Sequence, residues 1–422
     1  MEVFKLSRFL SLFCNQSVVR RGLLLFITLW LLALIKLAVT DSNEVSSIRR
    51  GDFPAFWSMA VIAKSSEPKR LYDLELQRKI QNQAWPSLNN TLLPAAYPAH
   101  VAFVLKPLAT LDHHVARWIW TAASISAALL GVTLLVRSNP HISWAPWMIF
   151  TLLCIFSPMS RGILGGQVLP FMVLLLAMVT RLTHRRTIWS DIVMGVALGV
   201  WLIKPYYGLC VLVVPLIQRR WITLVAFMLV AALSWQLAAA VAGEGWFTQW
   251  TVFTRSFAAI NLETNAHQMP NLWAQLYRIS GGSKGYGVQW WLTVVSAYGA
   301  LALGVVMLLG RGTVGVLINQ ANRYGDLLIY LILSLIVVAM PQVNFYDLGV
   351  IACAVVALFR PQGSADRLFV AACVLASQVS SDPPLGLPVH FLLGICGLVY
   401  VCVRIRAKVR GLQTQCPIVS TY

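Results

Sequence analysis

Long apolar runs separated by short polar stretches dominate the chain. They centre on residues 22–40, 113–136, 143–160, 163–180, 188–203, 205–218, 221–241, 287–310, 326–341, 344–360, 366–382 and 386–403. Each is near the 17–25 residues that carry an α-helix across a bilayer. The pattern predicts an all-α polytopic membrane protein with about twelve transmembrane helices and two long outer loops, at about 41–97 and 243–286. Several runs are short and meet at Pro158, Pro205 or Pro341, where a helix must start, kink or stop. The first run, Gly22 to Thr40, is longer than a signal-peptide core and has no small-residue cleavage site, so it is expected to stay as a span. The chain then divides into an N-terminal segment (1–21), a single membrane domain (22–403) and a basic tail (404–422).

Within the first long insert, Leu71, Leu74 and Arg78 share one face at helical spacing, predicting a short amphipathic helix over 71–81 that lids the loop. In the second, Trp246, Phe247, Trp250, Phe253 and Phe257 recur at helical spacing, as in an aromatic helix at a membrane surface. The stretch Tyr97 to Leu111 is apolar enough to enter the membrane. Were it to cross, every later loop would change sides, so it is read as a re-entrant or interfacial hairpin, which needs protein or a cavity around its backbone.

Composition closes off the soluble classes. With 58% hydrophobic and 11% charged residues and a mean hydropathy of +0.71, a chain of 422 residues has too little polar surface to cover its apolar side chains. A net charge of +18 would suit a nucleic acid, but its distribution says otherwise. Lys5, Arg8, Arg20, Arg21, Arg137, Arg185, Arg186, Arg219, Arg220, Arg311 and Arg323 and the tail from Arg404 to Arg410 fall before the first span, in alternate loops or after the last span. That is the positive-inside pattern, with both termini cytoplasmic, and it implies membrane lipids and no nucleic acid as partners. The eight cysteines include no CxxC pair, and the seven histidines show no ligand spacing. His113 and His114, being adjacent, are expected to point apart on a helix.

Candidate chemistry gathers on the opposite, outer side. Arg49-Arg50-Gly51-Asp52-Phe53-Pro54-Ala55-Phe56-Trp57 sets a carboxylate among cations and rings about ten residues past the first apolar run. Asp52 reads as the chemical centre, or as the N-cap of a short helix running to about Ala63, since Asp accepts from first-turn N–H groups. The stretch Pro158 to Gln167 offers Arg161, Gln167 and three glycines. A ligand or a tight turn would account for the glycines equally, but a turn does not explain why Gln167 opens an apolar helix. Lys204, at the junction Lys204-Pro205-Tyr206-Tyr207, could bind an anionic phosphate or simply reach toward the interface. In Asn344-Phe345-Tyr346-Asp347 a carboxylate again opens a span.

In this order, Asp52-Phe53 with Phe56-Trp57, Leu71-Tyr72-Asp73, Tyr97-Pro98, Pro107-Leu108, Trp120, Gly166-Gln167, Lys204-Pro205 and Tyr346-Asp347 resemble the bacterial polyprenol-phosphate-mannose-dependent α-mannosyltransferases of glycosyltransferase family 87. Ala99, Val168 and Asp112 stand where that family usually has a proline, a polar residue and a proline. The resemblance implies a GT-C membrane fold in the bacterial inner membrane, an active site on the periplasmic side, an outer-loop aspartate as base and inversion at the sugar carbon.

The expected function is transfer of a sugar, mannose first, from a polyprenyl-phosphate donor to a lipid- or glycan-linked acceptor. Asp52 would serve as base. Lys204 and Arg161, with Arg255 behind them, would meet the donor phosphate, where negative charge grows as it departs. Trp57, Tyr97, Gln167, His267 and Tyr346 are candidates for contact with sugar or acceptor, and Asp347 is a reserve acid or hydrogen-bonding partner. Asp52 has no second carboxylate two positions on, so no Asp-x-Asp metal pair is indicated, and no cofactor is implied. Two rival classes are a lipid-linked polysaccharide polymerase or ligase, which would lean on arginine and histidine in the 243–286 loop, and a lipid-linked saccharide transporter, which should show repeats and mid-membrane charges.

Overall fold

Prolines decide where many of the helices begin, because proline fits the first helical turn and no later one. The computed structural model describes residues 51–282, 288–361, 363–379 and 388–415; the expected first span at 22–40, with Arg49 and Arg50, lies outside them. In order the helices are α1 (Phe53–Lys64), α2 (Leu74–Ala84), α3 (Ala99–Leu105), α4 (His113–Ser138), α5 (Pro146–Ile155), α6 (Ser157–Leu164), α7 (Leu169–Leu182), α8 (Ile188–Val200), α9 (Pro205–Val211) and α10 (Val213–Ile217). The second half holds α11 (Trp221–Ala242), α12 (Trp246–Asn265), α13 (Leu272–Ile279), α14 (Val288–Leu309), α15 (Arg311–Asn319), α16 (Ala321–Ala339), α17 (Leu348–Leu358), α18 (Ser364–Ala376) and α19 (Val389–Gln415). Short 3-10 turns join several of them, and no strand occurs among the described residues.

Five helices, α4, α11, α14, α16 and most of α19, are long and apolar enough to cross a membrane, six spans if α5 and α6, bent by 91°, count as one. This is fewer than the twelve runs predicted. The runs at 163–180, 188–203, 205–218 and 344–360 form shorter apolar helices. The 14 residues of α7 extend about 21 Å, less than the ~30 Å of a hydrocarbon core. The chain leaves the helical conformation at Gly166, with φ +68°, before α7 and at Lys204 before α9. Ala99–Thr110 is likewise too short to span as a straight helix.

Polar caps explain other boundaries. Asp73, Asp112, Thr187 and Asn271 each accept from a first-turn N–H of the helix that follows, a contact worth about 1 kcal/mol. Asp112, out of keeping with the resemblance, thus opens the longest apolar helix of the first half. His113 and His114 do not diverge: their ring centroids lie 4.1 Å apart, with His113 also packed on Trp57 and Trp85. The helix α1 is apolar on nearly every face and is accordingly enclosed, with nine of its twelve residues buried.

The bundle is built from pairs: α4 lies along α7, α8 along α11, and α16 and α17 against α19. Its polar groups collect at two ends. At one, Arg220 is buried and reaches Asp191 and the carbonyls of Leu182 and Arg185, Gln218 donates to the Ala321 carbonyl, and Asp326 lies between His184 and Lys408. At the other end meet residues 51–52, 97, 165–167, 204 and 344–347.

Candidate active site

Two backbone segments touch where Asp52 enters its helix. Gly51 adopts φ +45°, and a Cβ there would lie 2.0 Å from the Gly165 carbonyl oxygen, so a side chain is excluded both by conformation and by space. Gly166, at φ +68°, would set its own Cβ 2.6 Å from that of Phe53. The Phe53 N–H donates to the Gly165 carbonyl at 3.2 Å and the Trp120 indole to the Gly166 carbonyl at 2.9 Å. This seam between the α1 entrance and the α6–α7 turn fixes the backbone of Asp52.

The Asp52 side chain does not cap α1. It occupies the N-cap position but makes no side-chain bond to the first turn, where Pro54 has no N–H to offer and that of Phe53 goes to Gly165. Instead the carboxylate accepts from the Gln167 side chain, and the Tyr97 hydroxyl stands 3.5 Å from its Oδ2. Burial is the largest influence on it and holds its pKa above the ordinary value of 3.8; the Gln167 bond, the Lys204 charge and Tyr97 pull the other way, and the Asp347 charge adds to the rise.

Across from it lies a buried ion pair. Lys204 Nζ, at the N-cap of α9, donates to Asp347 Oδ1 at 2.6 Å; the lysine side chain is 8% exposed and the aspartate 0%. The ammonium also stands 5.0 Å from the centroid of the Tyr346 ring. The other oxygen of Asp347 accepts from the Asn344 N–H at 3.1 Å, closing a capping box around Phe345–Asp347. Arg161, on α6, stacks 5.3 Å from the centroid of Phe345, and no carboxylate pairs with it among the described residues.

Asp52, Tyr97, Gln167, Lys204, Tyr346 and Asp347 therefore assemble, with Arg161 beside them on Phe345. Trp57 does not face this group: it points to Trp85 and His113, and Phe56 is the residue of α1 that meets Tyr97, at 4.6 Å. Arg255 is exposed on α12, two residues from each of Phe253 and Phe257 and hence on the opposite helix face. His267 stands apart in the turn after α12, 3.1 Å from the Gln268 amide.

The sequence pattern did not single out three asparagines. Asn265 donates to Asn261 at 2.8 Å, Asn261 to Asn344 at 3.3 Å and Asn344 to the Tyr346 hydroxyl at 2.9 Å. The chain ties the aromatic helix α12 to Tyr346 and Asp347. Its one legible signal is Asn344 standing three residues before Asp347, the spacing of a reciprocal cap. A groove of about 840 Å³ lies beside the site, between residues 69–94 and α12, with Tyr72, Phe253 and Phe257 in its wall. Tyr72 joins groove to site, since its hydroxyl donates to the Tyr97 carbonyl at 3.0 Å.

Gln167 leaves one thing open to a ligand: its Oε1 is buried without a hydrogen-bond partner among the described residues, an acceptor beside the carboxylate. The arrangement can take a proton at Asp52, accept another hydrogen bond at Gln167 and present positive charge from Arg161, with the Lys204–Asp347 pair beside it. That combination suits transfer to a hydroxyl with an anionic leaving group.

No curated protein and no solved structure matches the chain. A family model described as glycosyltransferase family 87 matches residues 95–341, taking in Tyr97, Arg161, Gln167 and Lys204 and ending before Tyr346 and Asp347. The match covers more than half of the chain and agrees with a helical protein rich in membrane-length apolar segments, and the chain belongs to glycosyltransferase family 87.

Proposed function

We propose that this membrane glycosyltransferase takes a hexose, mannose first, from a polyprenyl-phosphate donor and passes it to a hydroxyl of a lipid- or glycan-linked acceptor at the periplasmic face of the bacterial inner membrane. The acceptor oxygen attacks the sugar carbon as Asp52 takes its proton. The bond from that carbon to the phosphate oxygen breaks, polyprenyl phosphate leaves, and configuration inverts. The observation that carries the reading is the Asp52 carboxylate, set at a helix N-terminus yet turned away from its own helix toward Gln167 and Tyr97. A pKa raised by burial also brings a carboxylate nearer to the value a general base needs at neutral pH.

The phosphate role divides between the two cations. Lys204 is already neutralised by Asp347, so a second anion there would share its charge. Arg161 has no such competitor among the described residues and is held broadside by Phe345, and in this reading it is the first cation the phosphate meets, with Lys204 behind it. Gln167 Oε1 takes a hydroxyl of the sugar or acceptor.

The test uses the purified full-length protein with a membrane acceptor extract and a panel of polyprenyl-phosphate mannose, glucose and galactose alongside the matching nucleotide sugars. Transfer from a lipid-linked donor, with release of polyprenyl phosphate and with donor KM raised about tenfold or more in Arg161→Gln, is the expected result; one lost charge-assisted hydrogen bond is worth about that much. Transfer from a nucleotide sugar without any lipid donor would overturn the reading.

A further inference from the structure

The far end of the bundle carries a second site. The helix α19 starts beside the first, with His390 5.4 Å from Phe345, and runs on through Arg404, Arg406, Lys408 and Arg410. At 1.5 Å per residue, Arg406 lies about 24 Å beyond His390. The four cations fall on two faces. Arg404 and Lys408, four residues apart, are each paired with an acid, Asp366 at 3.3 Å and Asp326 at 3.6 Å. Arg406 and Arg410, also four apart, share another face and line a cavity of about 550 Å³ with Leu308, Val403 and Ala407.

Arg406 is held in place, and among the described residues no carboxylate pairs with it. Its Nη1 donates to the Leu308 carbonyl at 3.0 Å, while its Nε is buried without a hydrogen-bond partner. A buried guanidinium N–H with nothing to donate to costs on the order of 1–3 kcal/mol. Gly310, where α14 ends, stands over the guanidinium with no side chain; a Cβ there would be 3.7 Å from Arg406 Cζ. The apolar surface beside it is exposed: Val403, in the cavity wall, is 49% exposed, and Met307, next to Leu308 on α14, 69%. The cavity thus joins two cations to an apolar helix surface at the end of two membrane-length helices. Such a combination accepts a phosphate whose own acyl chains lie along the helices, as basic pockets between spans do.

We propose that the Arg406–Arg410 face binds the anionic headgroup of a membrane phospholipid, its phosphate meeting the Arg406 Nε and the Arg410 side chain and its chains lying against Val403 and α14. This does not rest on the sugar-transfer reading. The site needs neither donor nor acceptor.

Native mass spectrometry of the full-length protein in detergent, titrated with phosphatidylglycerol and with phosphatidylcholine of the same acyl chains, tests it. Wild type is expected to prefer phosphatidylglycerol, and the Arg406→Gln/Arg410→Gln double variant to lose about thirtyfold in that preference, at roughly 1 kcal/mol for each cation. Ala407→Trp, which fills the cavity and keeps both arginines, should lose it as well, and Arg404→Gln should not. Glycerol 3-phosphate should fail to compete; competition by it would assign the site to a free phosphate and overturn the lipid. No preference in wild type, or equal losses in Arg404→Gln and the double variant, would reduce the effect to diffuse positive charge and end the proposal.

Discussion

Asp52 and Asp73 occupy the same kind of position twenty-one residues apart, each the residue before a helix, and do opposite things. Asp73 behaves as an N-cap: its Oδ1 accepts from Glu75 N–H at 3.0 Å and Leu76 N–H at 3.1 Å, and its Oδ2 pairs with Arg70 at 2.7 Å. The Arg70 bond first, then the helix N–H of Leu76, holds its pKa below 3.8. Asp52 makes no such bond, and burial holds its pKa above 3.8. What separates them is the first turn of each helix. Asp73 accepts from the second and third N–H groups of its helix, whereas in α1 the first N–H goes to Gly165 and the second residue, Pro54, has none, and the protein is left with a half-buried acid that its own fold does not require.

The largest test of this contrast is catalytic. Asp52→Asn keeps the shape and the Gln167 contact but cannot take a proton, and turnover is expected to fall about 10²- to 10⁴-fold, whereas Asp73→Asn leaves turnover unchanged; near-normal transfer by Asp52→Asn in the donor assay would remove it from the mechanism. Next comes the partner that only Asp52 has. Lys204→Met strands the buried Asp347 and withdraws the charge that moderates Asp52, and unfolding in denaturant should show a loss of about 3–5 kcal/mol. Lys204→Met/Asp347→Leu should recover much of it, which a purely local packing defect at 204 would not.

The smallest effects have opposite signs and are read from melting curves over pH. An acid whose folded pKa is raised contributes stability that is fully present below 3.8 and is lost as pH rises through the folded value, so Asp52→Asn should melt higher than wild type at neutral pH. An acid whose folded pKa is lowered contributes stability present above 3.8 and lost as pH falls through the folded value. Asp73→Ala should therefore melt lower at neutral pH, by about 1 kcal/mol in stability, with the difference vanishing in acid. Differences of the same sign would erase the distinction drawn between the two aspartates.

Much of this was readable before any coordinates, because it depends on short-range rules. Pro54 and Asp52 mark the start of α1, the aromatic spacing at 246–257 gives α12, and Gln167 opening an apolar helix is odd enough to draw notice. Two features depended on contacts that no local rule encodes. The Lys204–Asp347 pair joins residues 143 apart in sequence, so Lys204 read as a free cation. The Gly165 carbonyl takes the Phe53 N–H across more than a hundred residues, so capping and chemistry at Asp52 looked interchangeable. The placement of Arg255 follows from helix geometry: on a helix whose Phe253 is buried, a residue two positions on faces the other way. Among the described residues five or six helices are long and apolar enough to span where twelve runs were expected over the whole chain, because hydropathy counts apolar residues and does not see where the helices stop.

The glycine seam has a consequence for how such an enzyme could change. Asp52 is located by main chain lying on main chain, with no side chain wedged between Gly51 and Gly165. Residues that would touch a sugar or an acceptor can be exchanged around that fixed point without moving it. One scaffold could thereby accept a different sugar or a different recipient while the Asp52 carboxylate stays put, and a single added methyl group at either glycine would withdraw that freedom.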